Sequence, residues 1–582
     1  LRTLALAAAL FSCAPSARAA VKNPDAFVYA AISAPESLDP AWAYDMEGQN
    51  VIAQIYETLV AFRGGGVGTR DLIPALSEKV PSRADGLIAD GGLVYRFPIR
   101  KGVRFHDGTL MTPDDVRYSL LRFLLMDRDG GPSALLLEPL LGISTTRPNG
   151  RLLDDAYERA ARAVTVDGGD VVIRLRKPFA PFLAILASYG QVLSRSWCAA
   201  HGQWDGSAAT WKSFNSPTHA QTIAGSANGT GPFKLEREDY GAREFVLARN
   251  DAYRRGPAKL ARVFVKIVDD FGTRKLMLQA GDADAIYAEV ADLPQLKTIP
   301  GVEVIDGLEP LGRRNVLIFG LTVNAKSNQN IGSGRLDGDG VPPDFFTDRS
   351  VRRAFARSID YAAYVKDVLR GRGSPSAGVI PAGLLGYAAG PSAHAFDLKG
   401  AVDDFRAAWG GKVWEKGFRV SIVYDAGDAS QQVLAQMIKR NVESLNPKFR
   451  VDSRGLSKPT MLEQTRLRLL PLSFGNWQAD YPDPHNFVFN YLHSEGFYPT
   501  QQGYKNPRMD ALIDAASVEL DEAKRAALYR RVQTLAEEDL SVVPIADGPS
   551  FRVQRDWVKG FVFKPIFPDM PNGSDYYDLS KK

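Results

Sequence analysis

Pro482 and Pro484 stand two positions apart in Asn476–Phe487, the stretch around which the chain is organised. Each proline fixes its own φ. Each also pushes the residue before it, Tyr481 or Asp483, towards extended geometry. The expectation is a stiff, non-helical segment. Asp480 lies just upstream, and Trp477 precedes it by three residues. A carboxylate on a rigid backbone beside an indole suits a ligand cation. The competing reading is local: Asp480 and Asp483 only close turns, as Asp before Pro often does.

Elsewhere, strand and helix patterns alternate. Ala26–Ile32 is apolar and extended, whereas Val51, Ile55 and Leu59 give Gln49–Phe62 helical spacing. Leu93–Ile99 alternates like a strand. Thr112-Pro113-Asp114-Asp115 opens a helix, with Thr112 as cap and Pro113 at the first helical position. Further strands are expected at Asp170–Leu175, Glu244–Arg249, Arg262–Val268, Leu317–Asn324 and Phe418–Tyr424. Helices are expected at Thr273–Ala280, Asp348–Arg370, Ser430–Leu445, Met509–Leu520 and Ala523–Leu540. Ser196–Ala227, rich in Ser, Thr and Trp, reads as a surface insertion. Such alternation predicts α/β layers, and 582 residues exceed one core, so at least two domains are expected.

Charge narrows the function. The net value of +4 is small and dispersed, with no basic cluster, so nucleic acid is not an expected partner. The first residues read as an export leader, 1–19. Arg2 precedes the apolar run Leu4–Phe11, and Ala17-Arg18-Ala19 fits a cleavage site. Leu10-Phe11-Ser12-Cys13 offers a rival, a lipobox that would tether the protein through Cys13. Cleavage at Ala19 would leave Cys198 as the one cysteine, read as a buried small hydrophobe. A periplasmic location follows from either reading.

The common catalytic signatures are missing. No H-E-x-x-H, G-x-S-x-G or S-x-x-K occurs. His485 and His493 lack companions at zinc spacing. No metal, cofactor or enzymatic activity is expected, although a hydrolase assembled from distant carboxylates would leave no local trace.

Several stretches, in order, resemble the extracytoplasmic solute-binding proteins of ABC importers, family 5, the peptide- and nickel-binding class. They are Ser37-Leu38-Asp39-Pro40, Tyr95–Asp115, Asn228–Phe233 with Arg249–Tyr253, Asp348–Asp360, Trp477–Phe487 and Asp521–Pro544. The resemblance implies a two-lobed α/β periplasmic-binding-protein fold, class II-like, with a hinge and an extra subdomain. The first lobe would comprise 20–62, 171–309 and 541–582, the inserted subdomain 63–170, and the second lobe 310–540. An extended di- to oligopeptide would lie between Ile32–Leu38 and Asn476–Ala479, through main-chain hydrogen bonds that ignore side chains. Asp480 matches the aspartate that holds a peptide's α-ammonium, and Trp477, Gln478, Asn476, Ser33 and Tyr44 would complete the ligand wall. Partners would be the peptide and a membrane permease, with the receptor itself a monomer. The family also implies alternatives: a metal chelate, an opine or an oligosaccharide. Pro471–Asn476 supplies no basic residue for a peptide carboxylate; Arg313, Arg314, Arg466 and Arg468 are the candidates.

Overall fold

The structure, a computed structural model, describes residues 21–65, 71–308, 312–388, 395–564 and 576–582. The expected leader, with Cys13, and the expected lobe boundary at 309/310 lie outside the described residues.

The strand Ala26–Ala31 is almost wholly buried, as an apolar run covered on both faces requires. It pairs in parallel with Arg262–Ile267 on one side and Ala285–Ile286 on the other. Glu244–Arg249 and Phe233–Asp239 extend the sheet one way; Ser550–Arg555 and Val302–Leu308 extend it the other, giving seven strands. A second sheet of five strands runs in the order Phe449–Leu456, Phe418–Asp425, Leu472–Gln478, Gly312–Phe319, Val542–Pro544. The chain passes from the first sheet to the second between Leu308 and Gly312, and returns between Asp547 and Ser550. The molecule is thus a two-lobed α/β protein. The second lobe reaches past the expected limit at 540, because Val542–Pro544 is an edge strand of its sheet.

A third sheet of four strands lies within the first lobe's sequence: Ile88–Ala89, Val94–Pro98, Asp170–Arg174 and Val164–Asp167. It reaches past the expected boundary at 170, because Asp170–Arg174 pairs along its whole length with Val94–Pro98. Its helix Pro113–Met126 opens on a capping box between Thr112 and Asp115, as its sequence demands. The buried Arg122 of that helix grips Asp39 of the first lobe with two bonds, 2.6 and 2.5 Å long. Asp107 and Asn228 exchange bonds of 3.1 and 2.9 Å, and the His106 N–H donates to the Gly229 carbonyl at 2.9 Å. At Gly229 and Gly231 a Cβ would meet the Ile55 carbonyl oxygen, at 2.1 and 2.6 Å respectively. Two of the motif stretches therefore serve to staple subdomain to lobe.

Three expectations fail for physical reasons. The helix expected over Gln49–Phe62 stops at Ile55, and Val60–Phe62 is a strand paired with Leu72–Pro74. The helix expected over Asp348–Arg370 breaks after Arg357, because Asp360 caps a new turn by accepting from the Ala363 N–H at 2.9 Å. Ser196–Ala227 is no surface insertion: Trp204 and Trp211 are buried in the main core of the first lobe.

Candidate functional site

The strand Leu472–Gln478 carries the site's backbone. Gly475 is fixed by packing, since a Cβ there would lie 2.7 Å from the Tyr498 ring. The Tyr498 hydroxyl in turn donates to the Asn476 carbonyl at 2.8 Å. The expected opposing strand over Ile32–Leu38 does not form; the strand ends at Ala31 and the chain bends.

Past the strand, the proline segment is only half as expected. It stays non-helical through Asp483, but Pro484 takes the first position of the helix Pro484–Leu492. That position needs no backbone donor, so proline suits it. Asp483 caps the helix by accepting from the His485 N–H at 2.8 Å. It also holds Arg525 through two bonds of 2.7 Å. Burial favours the neutral Asp483 acid, yet the charge and hydrogen bonds of Arg525 keep it below the ordinary carboxylate range. The local reading is therefore incomplete for Asp483, which closes the turn and also holds Arg525.

Asp480 differs. It is half-buried, and among the described residues it has no ion-pair partner. Asn486 organises it. The Asn486 Oδ1 accepts from the Trp477 indole at 2.7 Å and from the Asp480 N–H at 3.2 Å, while its Nδ2 donates to Asp480 Oδ2 at 2.8 Å. Because an indole N–H only donates, this fixes which end of the amide is oxygen. Tyr44, from the first lobe, lies near the same carboxylate, and the two groups interact electrostatically. Burial nonetheless pushes the Asp480 carboxyl up to about 6, against the pull of these hydrogen bonds. Asp480 is thus an acid oriented by its neighbours and raised by desolvation, with no countercharge among the described residues.

The structure thus joins Asp480, Trp477 and Tyr44 into one group. Asn476 and Gln478 lie on the same strand. The Asn476 Oδ1 accepts from the Asn315 N–H at 2.8 Å, and the Gln478 Nε2 is buried with no hydrogen-bond partner among the described residues. Ser33 is exposed beyond the end of Ala26–Ala31, and no hydrogen bond ties it to the group.

Of the arginines considered for a carboxylate, Arg313 is spent: it is buried, pairs with Asp547, and donates to the carbonyls of Val379 and Ile380. Arg314 lies 3.6 Å from Glu289 of the first lobe, and Arg468 donates to the Thr322 carbonyl at 2.7 Å. Arg466 is exposed at the end of the helix Lys458–Arg466.

Sequence reasoning missed two residues here. Asn486 sits six positions beyond Asp480, and only the turn at the prolines brings it back. Arg128 lies over the Trp42 ring, 4.0 Å from its centroid, and donates to the Trp42 carbonyl at 2.7 Å. No sequence spacing links positions so far apart. Among the described residues, no group of three or more His, Cys, Asp or Glu is placed to hold a metal ion.

The chain is similar to several known proteins. A probable D,D-dipeptide-binding periplasmic protein of Escherichia coli is 25% identical over 574 residues, 98% of each chain. Heme-binding protein A of Haemophilus influenzae is 26% identical over 558 residues, 93% of this chain and 90% of that one. Among solved structures, the ABC transporter-associated periplasmic binding protein DppA from Helicobacter pylori, in complex with the peptide STSA, superposes with a TM-score of 0.71. It is 22% identical, and the match covers 96% of this chain and 98% of that one. The model of the bacterial extracellular solute-binding proteins, family 5, matches residues 71–499, well over half of the sequence. The chain is a member of that family of solute-binding proteins.

Proposed function

We propose that the protein is the extracytoplasmic receptor of an ABC importer and captures a short peptide between its lobes for delivery to a membrane permease. The observation that carries this reading is Asp480: an oriented carboxylate, raised by desolvation, with no ion-pair partner among the described residues. A peptide α-ammonium would supply the missing charge. A charge-assisted bond of this kind strengthens as closure expels water. The unpartnered Gln478 amide and the edge of the Asn476–Gln478 backbone are positioned to meet peptide groups. Trp477, held by Asn486, would wall the ligand, and Tyr44 would cover it from the first lobe.

Calorimetric titration with one dipeptide in free and N-acetylated forms tests the assignment. Losing a buried charge pair costs about 3–5 kcal/mol. At about 1.4 kcal/mol per tenfold, both acetylation and Asp480→Ala are expected to weaken binding by at least about a hundredfold. Equal binding of both peptides by the unaltered protein would remove Asp480 from this role.

A further inference from the structure

A second charged site lies in the inserted subdomain. The helices Ala134–Leu141 and Ala156–Ala163 end beside the strand Asp170–Arg174, and between them is a cavity of about 240 Å³. Four arginines line it, Arg159 half-buried and Arg162, Arg174 and Arg176 exposed, and no acidic residue does. Its remaining lining is apolar: Leu140, Leu141, Ala163 and Leu175.

The local bonding leaves much of this charge unused. Arg159 donates to the Leu141 carbonyl at 2.7 Å, which occupies it at the helix end, and Asp155 is 3.9 Å away. Arg174 donates once, to the Thr165 hydroxyl at 3.0 Å. Among the described residues, Arg162 and Arg176 make no side-chain hydrogen bond or ion pair. Like charges so gathered repel each other unless an anion joins them. The leucine floor is a low-dielectric backing that strengthens the field in the cavity. Guanidinium forks match the paired oxygens of a phosphate, and a lysine cluster would not do so as well.

We propose that this cavity binds a phosphate ester carrying a short apolar group, with the phosphate on Arg162, Arg174 and Arg176 and the apolar group on Leu140 and Leu175. The same chemistry is offered by a soluble alkyl phosphate and by the headgroup region of an anionic phospholipid. The site is remote in sequence from Asp480 and does not depend on the peptide assignment.

The test uses butyl phosphate, inorganic phosphate, and vesicles of phosphatidylglycerol or of phosphatidylcholine alone, with the full chain. Butyl phosphate is expected to bind more tightly than inorganic phosphate, and its binding to weaken with added salt. The double variant R162Q/R176Q removes two of the charges that would meet the phosphate. It is expected to lose at least about a hundredfold in affinity while keeping its melting temperature. The variant R162K/R176K should retain part of the affinity, which separates lost charge from lost structure. Sedimentation with phosphatidylglycerol vesicles, abolished by R162Q/R176Q, would identify a lipid headgroup as the source; binding of butyl phosphate alone would identify a free solute. No binding of any probe, or equal binding by R162Q/R176Q, would overturn the proposal.

Discussion

Asp480 combines two opposing demands. Desolvation penalises its charge, whereas a ligand ammonium needs that charge. With its carboxyl near 6 and an unfolded value near 3.8, the native state holds more protons than the unfolded chain between those limits. Ligand-free stability should therefore fall as pH rises through that window, and D480N should abolish the fall. Binding should run the other way. Affinity for an unmodified peptide is expected to drop about tenfold per unit as pH falls below about 6, while an N-acetylated peptide shows a flat profile. Titration from about pH 3.5 to about pH 8 checks both; a flat profile for the free peptide would contradict the role. The acid itself was legible from the motif in the sequence. Its bracing was not, because Asn486 and Tyr44 reach it only after the proline turn forms and the lobes meet.

Local signals decided which elements could be read in advance. The Thr112-Pro113-Asp114-Asp115 start and the expected helix end at Ala280 succeeded because a cap involves only neighbouring residues; the cap Gly281 has φ 77°, which glycine adopts without strain. The break at Asp360 was missed because periodicity does not distinguish an acid on a helix face from one that caps the next turn. Trp204 and Trp211 were missed because only tertiary packing shows that a polar stretch is pinned through its aromatics. Asp483 shows a local and a tertiary role in one side chain: it caps Pro484–Leu492 and holds Arg525 of the helix Glu522–Asp539. Arg525→Met would leave a buried, uncompensated carboxylate and should cost about 3–5 kcal/mol in chemical unfolding. The paired change D483N/R525M should cost clearly less, since no charge is then stranded. Equal losses in the two proteins would show that the pair acts through shape and not through charge.

At the scale of the molecule, the question is what holds the lobes together before a ligand arrives. Several contacts join them, among them an ion pair between Arg372 and Asp306 of the strand Val302–Leu308. The Ala180 N–H donates to the Ser517 carbonyl at 2.8 Å, and Phe179 packs edge-on to His485, with ring centroids 5.2 Å apart. Glu289 faces Arg314, but both side chains are half exposed, and pairs of that kind contribute about 0–1 kcal/mol. Tyr44 reaches across to Asp480, and Tyr481 is buried among first-lobe residues. Of these, only the Tyr44 contact acts on the acid that the ligand would use. It would therefore link closure to occupancy: the phenol lies beside the carboxylate, and an ammonium would add the charge that the phenol lacks. Tyr44→Phe deletes that one hydroxyl and keeps the ring packed against Tyr189. Small-angle scattering should show a larger radius of gyration for ligand-free Y44F than for the unaltered protein, with a bound peptide restoring the smaller value. The lost phenol should appear as a roughly tenfold weaker affinity. An unchanged radius together with unchanged affinity would mean that closure rests on the Ala180 and Phe179 contacts, beside the inserted subdomain, and that Tyr44 does not couple closure to Asp480.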